Sequence, residues 1–277
     1  MFRKLIAAVA LVGILLVGYV VYLYLKPTEA ASAPIQAIPL TAATQTQSAD
    51  AIAGSAATLI PTATEAAVAT QEETTVVDPR ATQAPAAVTQ QPTAEAAAGP
   101  RLFEIDPAQS EARFLIDEVL EGSPKTVIGV TDQVSGQISV DTNTPANTQI
   151  GVIQVNARTL TTDNDFRNRA IKNRILNTNE YEFITFTPTA ITGLPELVAV
   201  GQPMQFQISG DLTVRGETRP VIFDAQVTPN AESELAGTAV TTIRYADFGI
   251  SIPQVPAVTG VSDEVRLEID FVALAVQ

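Results

Sequence analysis

Histidine, cysteine and tryptophan are absent from all 277 residues, and 16 bases stand against 30 acids, a formal net charge of −14. Without His or Cys the chain cannot assemble the usual zinc ligand sets, a Ser-His-Asp triad, a Cys-His nucleophile or a haem held by a proximal His. Disulfides and a lipoprotein anchor through cysteine are excluded, although this does not decide the redox compartment. The acidic balance argues against a nucleic-acid partner, which requires a basic footprint to release condensed counterions. No glycine-rich phosphate loop follows a strand pattern, and no Gly-x-Ser-x-Gly elbow occurs. The expectation is a binding protein with no cofactor and no metal, not an enzyme.

What is present is unevenly distributed. Leu5 to Leu25 is an uncharged apolar run, long enough at about 1.5 Å per residue to cross the roughly 30 Å hydrocarbon layer of a bilayer. Arg3 and Lys4 precede it, Lys26 follows it, and Tyr19, Tyr22 and Tyr24 crowd its far end like an interfacial aromatic belt. The run reads as a single-pass anchor, residues 1–26, in a cell membrane, and the positive-inside rule puts everything after it outside the cytoplasm. A cleaved signal, with Ala30-Ala31-Ser32 as small residues, is the alternative and would make the protein secreted. The length of the apolar run favours the retained anchor.

Residues 27–100 are built almost wholly of Ala, Thr, Pro, Gln and Glu, with no aromatic residue up to Gly99 and Arg80 as the one base before Arg101. Such a composition buries too little apolar surface to offset conformational entropy, so a disordered linker is expected. As a flexible coil it would span on the order of 45 Å.

From residue 101 to 277 the apolar period becomes two. Phe206, Ile208, Leu212 and Val214 alternate with polar neighbours, as do Val265, Leu267, Ile269 and Phe271 with Glu264, Arg266, Glu268 and Asp270. Further strand-like runs lie near Phe114, Ile138, Ile153, Phe183, Phe223 and Val240. About eight such runs separated by polar turns predict an all-β antiparallel sandwich or closed barrel. One interruption is helical: Thr162-Asp163-Asn164-Asp165 offers N-caps ahead of Phe166 to Leu176, with Phe166, Ala170, Ile171 and Ile175 on one side.

Three constellations invite chemistry, and each has a plainer account. Asp163 with Asp165 could hold a hard cation, but the spacing lacks the Gly and distal Glu of a calcium loop and capping explains both. The pairs Asp117-Glu118 and Asp263-Glu264 read as solvated strand faces rather than acid-base partners. Arg167, Arg169, Lys172 and Arg174 form a local positive spot that suits an anionic headgroup or, equally, an ordinary solvated helix face. The inward-facing Phe114, Ile138, Phe183, Phe206, Ile208, Leu212 and Phe223 would fill a core or line a cavity, and alternation does not choose between them.

Several stretches, in order, resemble the YceI-like family of extracytoplasmic lipid- or polyisoprenoid-binding domains. They are Phe103-Glu104-Ile105-Asp106 with Ser110, Val134-Ser135-Gly136-Gln137-Ile138, and Ala157-Arg158-Thr159-Leu160-Thr161-Thr162-Asp163-Asn164. After these come Asn168-Arg169 through Ile175-Leu176, and Tyr181-Glu182-Phe183-Ile184-Thr185-Phe186. The most specific is Gly210-Asp211-Leu212-Thr213-Val214-Arg215-Gly216-Glu217-Thr218-Arg219-Pro220-Val221, and Asp247-Phe248-Gly249-Ile250 closes the set. The resemblance implies a lipocalin-like β-barrel whose elongated apolar channel holds an isoprenoid or another long-chain amphiphile. Alternation and aromatic bulk then select Phe114, Ile116, Ile138, Phe183, Phe206, Ile208, Leu212 and Phe223 as the wall of such a channel, with Arg167 and Arg169 of the basic cluster as headgroup contacts. The His residues that many relatives carry are missing, so no His-dependent property transfers. The loop from Ala246 to Gly260, with Pro253 and Pro256, is expected to cover one end of the channel. A solid barrel that binds an envelope protein or polysaccharide is the alternative, and the sequence leaves monomer or homodimer open.

Overall fold

The computed structural model describes residues 18, 19, 22, 27–40, 99–254, 256 and 258–276. The expected membrane anchor falls outside these residues except for Gly18, Tyr19 and Tyr22, as does the stretch 41–98 of the expected linker. Among the described residues no helix is long and apolar enough to cross a membrane.

Residues 101–275 form strands β1 (Arg101–Ile105), β2 (Glu111–Leu120), β3 (Ser123–Thr131), β4 (Val134–Ser135), β5 (Gln137–Val140), β6 (Gln149–Ile150) and β7 (Ile153–Asn156). The longer β8 (Phe183–Thr192), β9 (Met204–Val214), β10 (Glu217–Ala231) and β11 (Glu234–Arg244) follow, then β12 (Val258–Val261) and β13 (Glu264–Ala275). Several of these are pieces of one bent strand. β13 pairs with β2 near its start and with β1 near its end; β2 pairs with β3 and β1 with β5; β5 pairs with β6 and β4 with β7. From β7 the ladder runs antiparallel through β8, β9, β10 and β11 back to β13. Through the bent β4–β5 and β6–β7 stretches these pairings close a circuit, while β3 pairs with β2 alone apart from the Val130–Thr161 bridge. One end of the barrel carries the β2–β3 and β9–β10 turns and the starts of β8 and β13; the other carries the ends of β5, β8 and β13.

Local sequence explains the turns. The β9–β10 hairpin closes through Arg215 and Gly216 with φ of 52° and 79°. Two successive positive φ values give the turn whose twist matches the strands, and Gly supplies the second at no steric cost. Thus the most specific stretch of the sequence is this hairpin.

The expected helix begins at Asp165, where α1 (Asp165–Ala170) is capped by the Asn164 side chain, which accepts from the Arg167 N–H, and it widens into a π turn over Ile171–Ile175. Two corrections arise here. Asp163 does not cap; its carboxylate takes the Lys125 ammonium at 2.6 Å and the Arg167 guanidinium at 2.5 Å. Phe166, expected on the covered side, is 78% exposed with Arg169 stacked 5.8 Å above its ring.

Part of the expected linker is not free of the barrel. Pro27–Leu40 lies against its outer wall, with Ile35 buried. Alternation places Ser135 and Gln137 on the outward face, because Ile138 between strand neighbours points into the interior; yet Ser135 is only 2% exposed and Gln137 is buried. The segment covers both: Ser135 Oγ donates to the Gln36 carbonyl at 3.1 Å, and Gln137 Oε1 accepts from the Leu40 N–H at 3.1 Å. Nearer its start it completes a buried polar group. Arg158 donates to the carbonyls of Thr178, Asn179 and Ala30 and pairs with Glu182 at 2.9 Å and Glu29 at 3.2 Å. Glu182 also accepts from the fully buried Asn156 amide and from the Ser32 N–H. Burial pushes the Glu182 carboxyl up, but the hydrogen bonds from Ser32 and Asn156 and the Arg158 charge outweigh it, leaving it below the usual range.

On the outer face of β13 and β2, Glu268 receives Arg113 Nε at 2.6 Å and Arg266 Nε at 2.5 Å, and Arg113 also pairs with Asp270. The Arg113 hydrogen bond, aided by both guanidinium charges, holds the Glu268 carboxyl below its ordinary value against the opposing effect of burial. A lowered carboxyl stabilises the fold above its unfolded pKa, and that contribution disappears as pH falls through the folded value. Between about pH 5 and pH 3 the thermal midpoint of the native chain is expected to fall more steeply than that of Glu268→Gln. Parallel slopes in a pH series of melting curves would contradict this.

Candidate binding channel

Inward-facing side chains enclose two cavities. The one at the α1 end has a volume of about 230 Å³ and is walled by Phe114, Ile116, Leu212, Ile171 and Leu176 among others. The one at the far end, about 90 Å³, is walled by Ile138, Phe206, Ile208, Leu194 and Val198 among others. Ile153, Phe186, Phe223 and Ile269 border both, so the cavities meet at a waist. There the Phe186 and Phe223 rings pack edge to face, 4.8 Å between centroids and 62° between planes. Gly210 makes room for this pair: a Cβ on it would stand 2.6 Å from the Phe186 ring and 2.5 Å from the Thr187 carbonyl oxygen.

Charge enters at the α1 mouth. Glu118, on the inward parity of β2 with Phe114 and Ile116, is buried and accepts from Arg167 Nη2 at 2.8 Å. This corrects the expectation of a solvated Asp117-Glu118 face: Asp117 points outward, where Thr126 donates to it, and Glu118 points in. The chain of charges continues from Arg167 through Asp163 to Lys125, and the Lys125 hydrogen bond is the main reason the Asp163 carboxyl sits below the usual range. Arg113 and Glu268 also border this cavity, with their charged ends paired to each other. Ile250 and Ile252, from the loop after β11, wall the same mouth.

Seven of the eight expected wall residues border the cavities: Phe114, Ile116 and Leu212 the wider one, Ile138, Phe206 and Ile208 the narrower, and Phe223 both. Phe183 borders neither. In Phe183-Ile184-Thr185-Phe186 both parities of β8 carry large apolar groups, and it is Ile184 and Phe186 that turn inward. Arg167 borders the mouth; Arg169 does not, and lies over Phe166. The residues missed on sequence are Phe186, Ile153 and the inner side of the helix, Ile171 and Ile175; the Ile184–Phe186 alternation carried a signal for the first.

An antiparallel barrel enclosing an apolar channel with a charged mouth is an architecture for holding a small apolar molecule. Residues 103–273 match the model of the YceI-like domain, more than half of the chain, and the protein belongs to that family. Among curated relatives, a UPF0312 protein of Shewanella baltica is 28% identical over 150 residues, 51% of this chain and 73% of the relative. A Vibrio cholerae UPF0312 protein is 29% identical over 132 residues, 45% of this chain and 65% of that one. Similar solved structures include Burkholderia cenocepacia BcnA, with a TM-score of 0.49 and 19% identity over 61% of this chain and 98% of its own. A polyisoprenoid binding domain from Saccharophagus degradans gives 0.47 and 17% over 63% and 98%.

Proposed function

We propose that the barrel holds a polyisoprenoid or similar long-chain amphiphile in its waisted channel, on the outer side of a membrane to which Leu5–Leu25 anchors the chain. The observation that carries this reading is the pair of apolar cavities on either side of the Phe186–Phe223 waist. Each methylene moved from water into such a channel contributes roughly 0.8 kcal/mol, so capture needs no reacting group, and the protein acts by binding rather than catalysis. A chain long enough to occupy both cavities requires the two rings at the waist to part. Arg167, at the mouth, meets an anionic headgroup by exchanging its exposed partner Asp163 while keeping Glu118. A solid surface module would have a filled interior, which the two cavities do not favour.

Filling the wider cavity tests this reading. Ala112 borders it and is buried. The full chain carrying Ala112→Trp, or Ala112→Phe if the larger ring is not accommodated, is expected to lose binding of solanesol and undecaprenyl phosphate. Overpacking at such a site costs about 1–3 kcal/mol, so the variant stays folded. A folded variant that binds both probes as the native chain does would overturn the proposal.

A further inference from the structure

We propose that Pro27–Leu40 is a strap that seats the α1 mouth of the barrel on an anionic lipid surface. The inference rests on the membrane-anchor reading of Leu5–Leu25 and deepens the lipid-holding one by giving the route of entry.

The strap has a direction. Glu29 pairs with Arg158, in the turn before the helix, and its N–H donates to Asn179 Oδ1, in the turn after it, both at the α1 end. Ser32 then meets Glu182, Gln36 meets Ser135, and Leu40 meets Gln137 and the backbone at Gly151, so the segment descends the outer wall toward the far end. Only Pro27 and Thr28 lie between Lys26, which follows the apolar run, and Glu29, at most about 10 Å of chain. If the run lies in a bilayer, the α1 mouth lies at its surface.

The far side of the strap tells the same story. Leu40 is bonded to Gln137, which pairs with Glu104 across the β1–β5 ladder, and Arg101 opens β1 three residues before Glu104. The strap therefore ends against the same β1–β5 pair with which the barrel begins.

The α1 end is furnished for a lipid surface. Phe166 is an exposed aromatic ring on a short helix bearing Arg167, Arg169 and, in the following turn, Lys172 and Arg174, on a chain that is otherwise strongly acidic. An exposed ring flanked by bases is the pairing that inserts at an anionic interface, the ring among the acyl chains and the bases at the headgroups. At the opposite end the exposed Leu197 and Val200 stand in a loop whose charged residue is Glu196.

The absence of cysteine makes the test clean. Phe166→Cys and Leu197→Cys, both at exposed sites, are labelled with bimane in the full chain and reconstituted into vesicles of phosphatidylcholine and phosphatidylglycerol. The vesicles carry a phospholipid with a nitroxide at its headgroup. The label at 166 is expected to be quenched strongly and the label at 197 to keep its emission. Ile35→Asp, which puts a charge at the buried strap position, is expected to abolish quenching at 166 while the chain remains with the vesicles. A vesicle-bound chain equally unquenched at both sites, or one whose quenching at 166 survives Ile35→Asp, overturns the strap alone. A chain that does not sediment with vesicles overturns the anchor reading and the strap with it.

Discussion

Replacing Phe186 by Ala is expected to lower the stability of the barrel by about 3–5 kcal/mol, the usual cost of emptying a buried aromatic site. For a domain of this size that is a fall of roughly 6–20 °C in the thermal midpoint. Phe186 is buried at the waist, locked edge to face on Phe223 and seated over Gly210. Its loss removes the aromatic contact along with the buried area, and the cavities already present on either side leave neighbours little reason to collapse into the gap. The same substitution widens the waist, so a long prenyl probe is expected to remain bound. Melting curves of the two full chains check the first statement; a loss below about 1 kcal/mol would place Phe186 outside the packed wall.

Arg158→Ala is expected to cost a similar amount, about 3–5 kcal/mol, for an electrostatic reason. The side chains of Arg158 and Glu182 are 10% and 11% exposed, and Arg158 also satisfies the carbonyls of Thr178 and Asn179. Removing the guanidinium leaves a carboxylate and two carbonyls with little water to replace it. Arg158→Lys is expected to recover only part of the loss, because a single ammonium cannot serve a fork of acceptors. Glu29→Gln breaks the exposed partner of the same arginine and is expected to cost less than about 1 kcal/mol. Urea denaturation of the three variants checks the order; equal small effects would show that the network is not a buried one.

The hairpin at Gly210–Val221 shows why so much of the fold was legible in the sequence. Its alternation, its Arg-Gly turn and its length are local properties, and local properties survive in a one-dimensional reading. The same holds for β13, where the four apolar and four charged positions fall on opposite faces as expected. Legibility ends where a residue's setting depends on something distant in the chain. Phe183 and Phe186 stand three apart on one strand, so only the partner strands decide which turns inward. Glu118 follows an exposed acid and is buried because Arg167 arrives from 49 residues away. Ser135 and Gln137 occupy outward positions and are covered by a segment about a hundred residues earlier, whose Ala- and Pro-rich composition gives no sign of docking. Composition describes what a segment can bury by itself, and Pro27–Leu40 contributes by completing hydrogen bonds that the barrel presents.

The central claim is that the channel holds a long apolar chain, and native mass spectrometry of the full-length protein tests it most directly. The protein is purified in a mild detergent and released from the micelle in the gas phase, beside Ala112→Trp treated identically. The account predicts a discrete adduct with the mass of one prenyl-type lipid on the native chain, present as isolated or after incubation with undecaprenyl phosphate, and its absence from the filled variant. The bare polypeptide mass for both proteins under both conditions would contradict it.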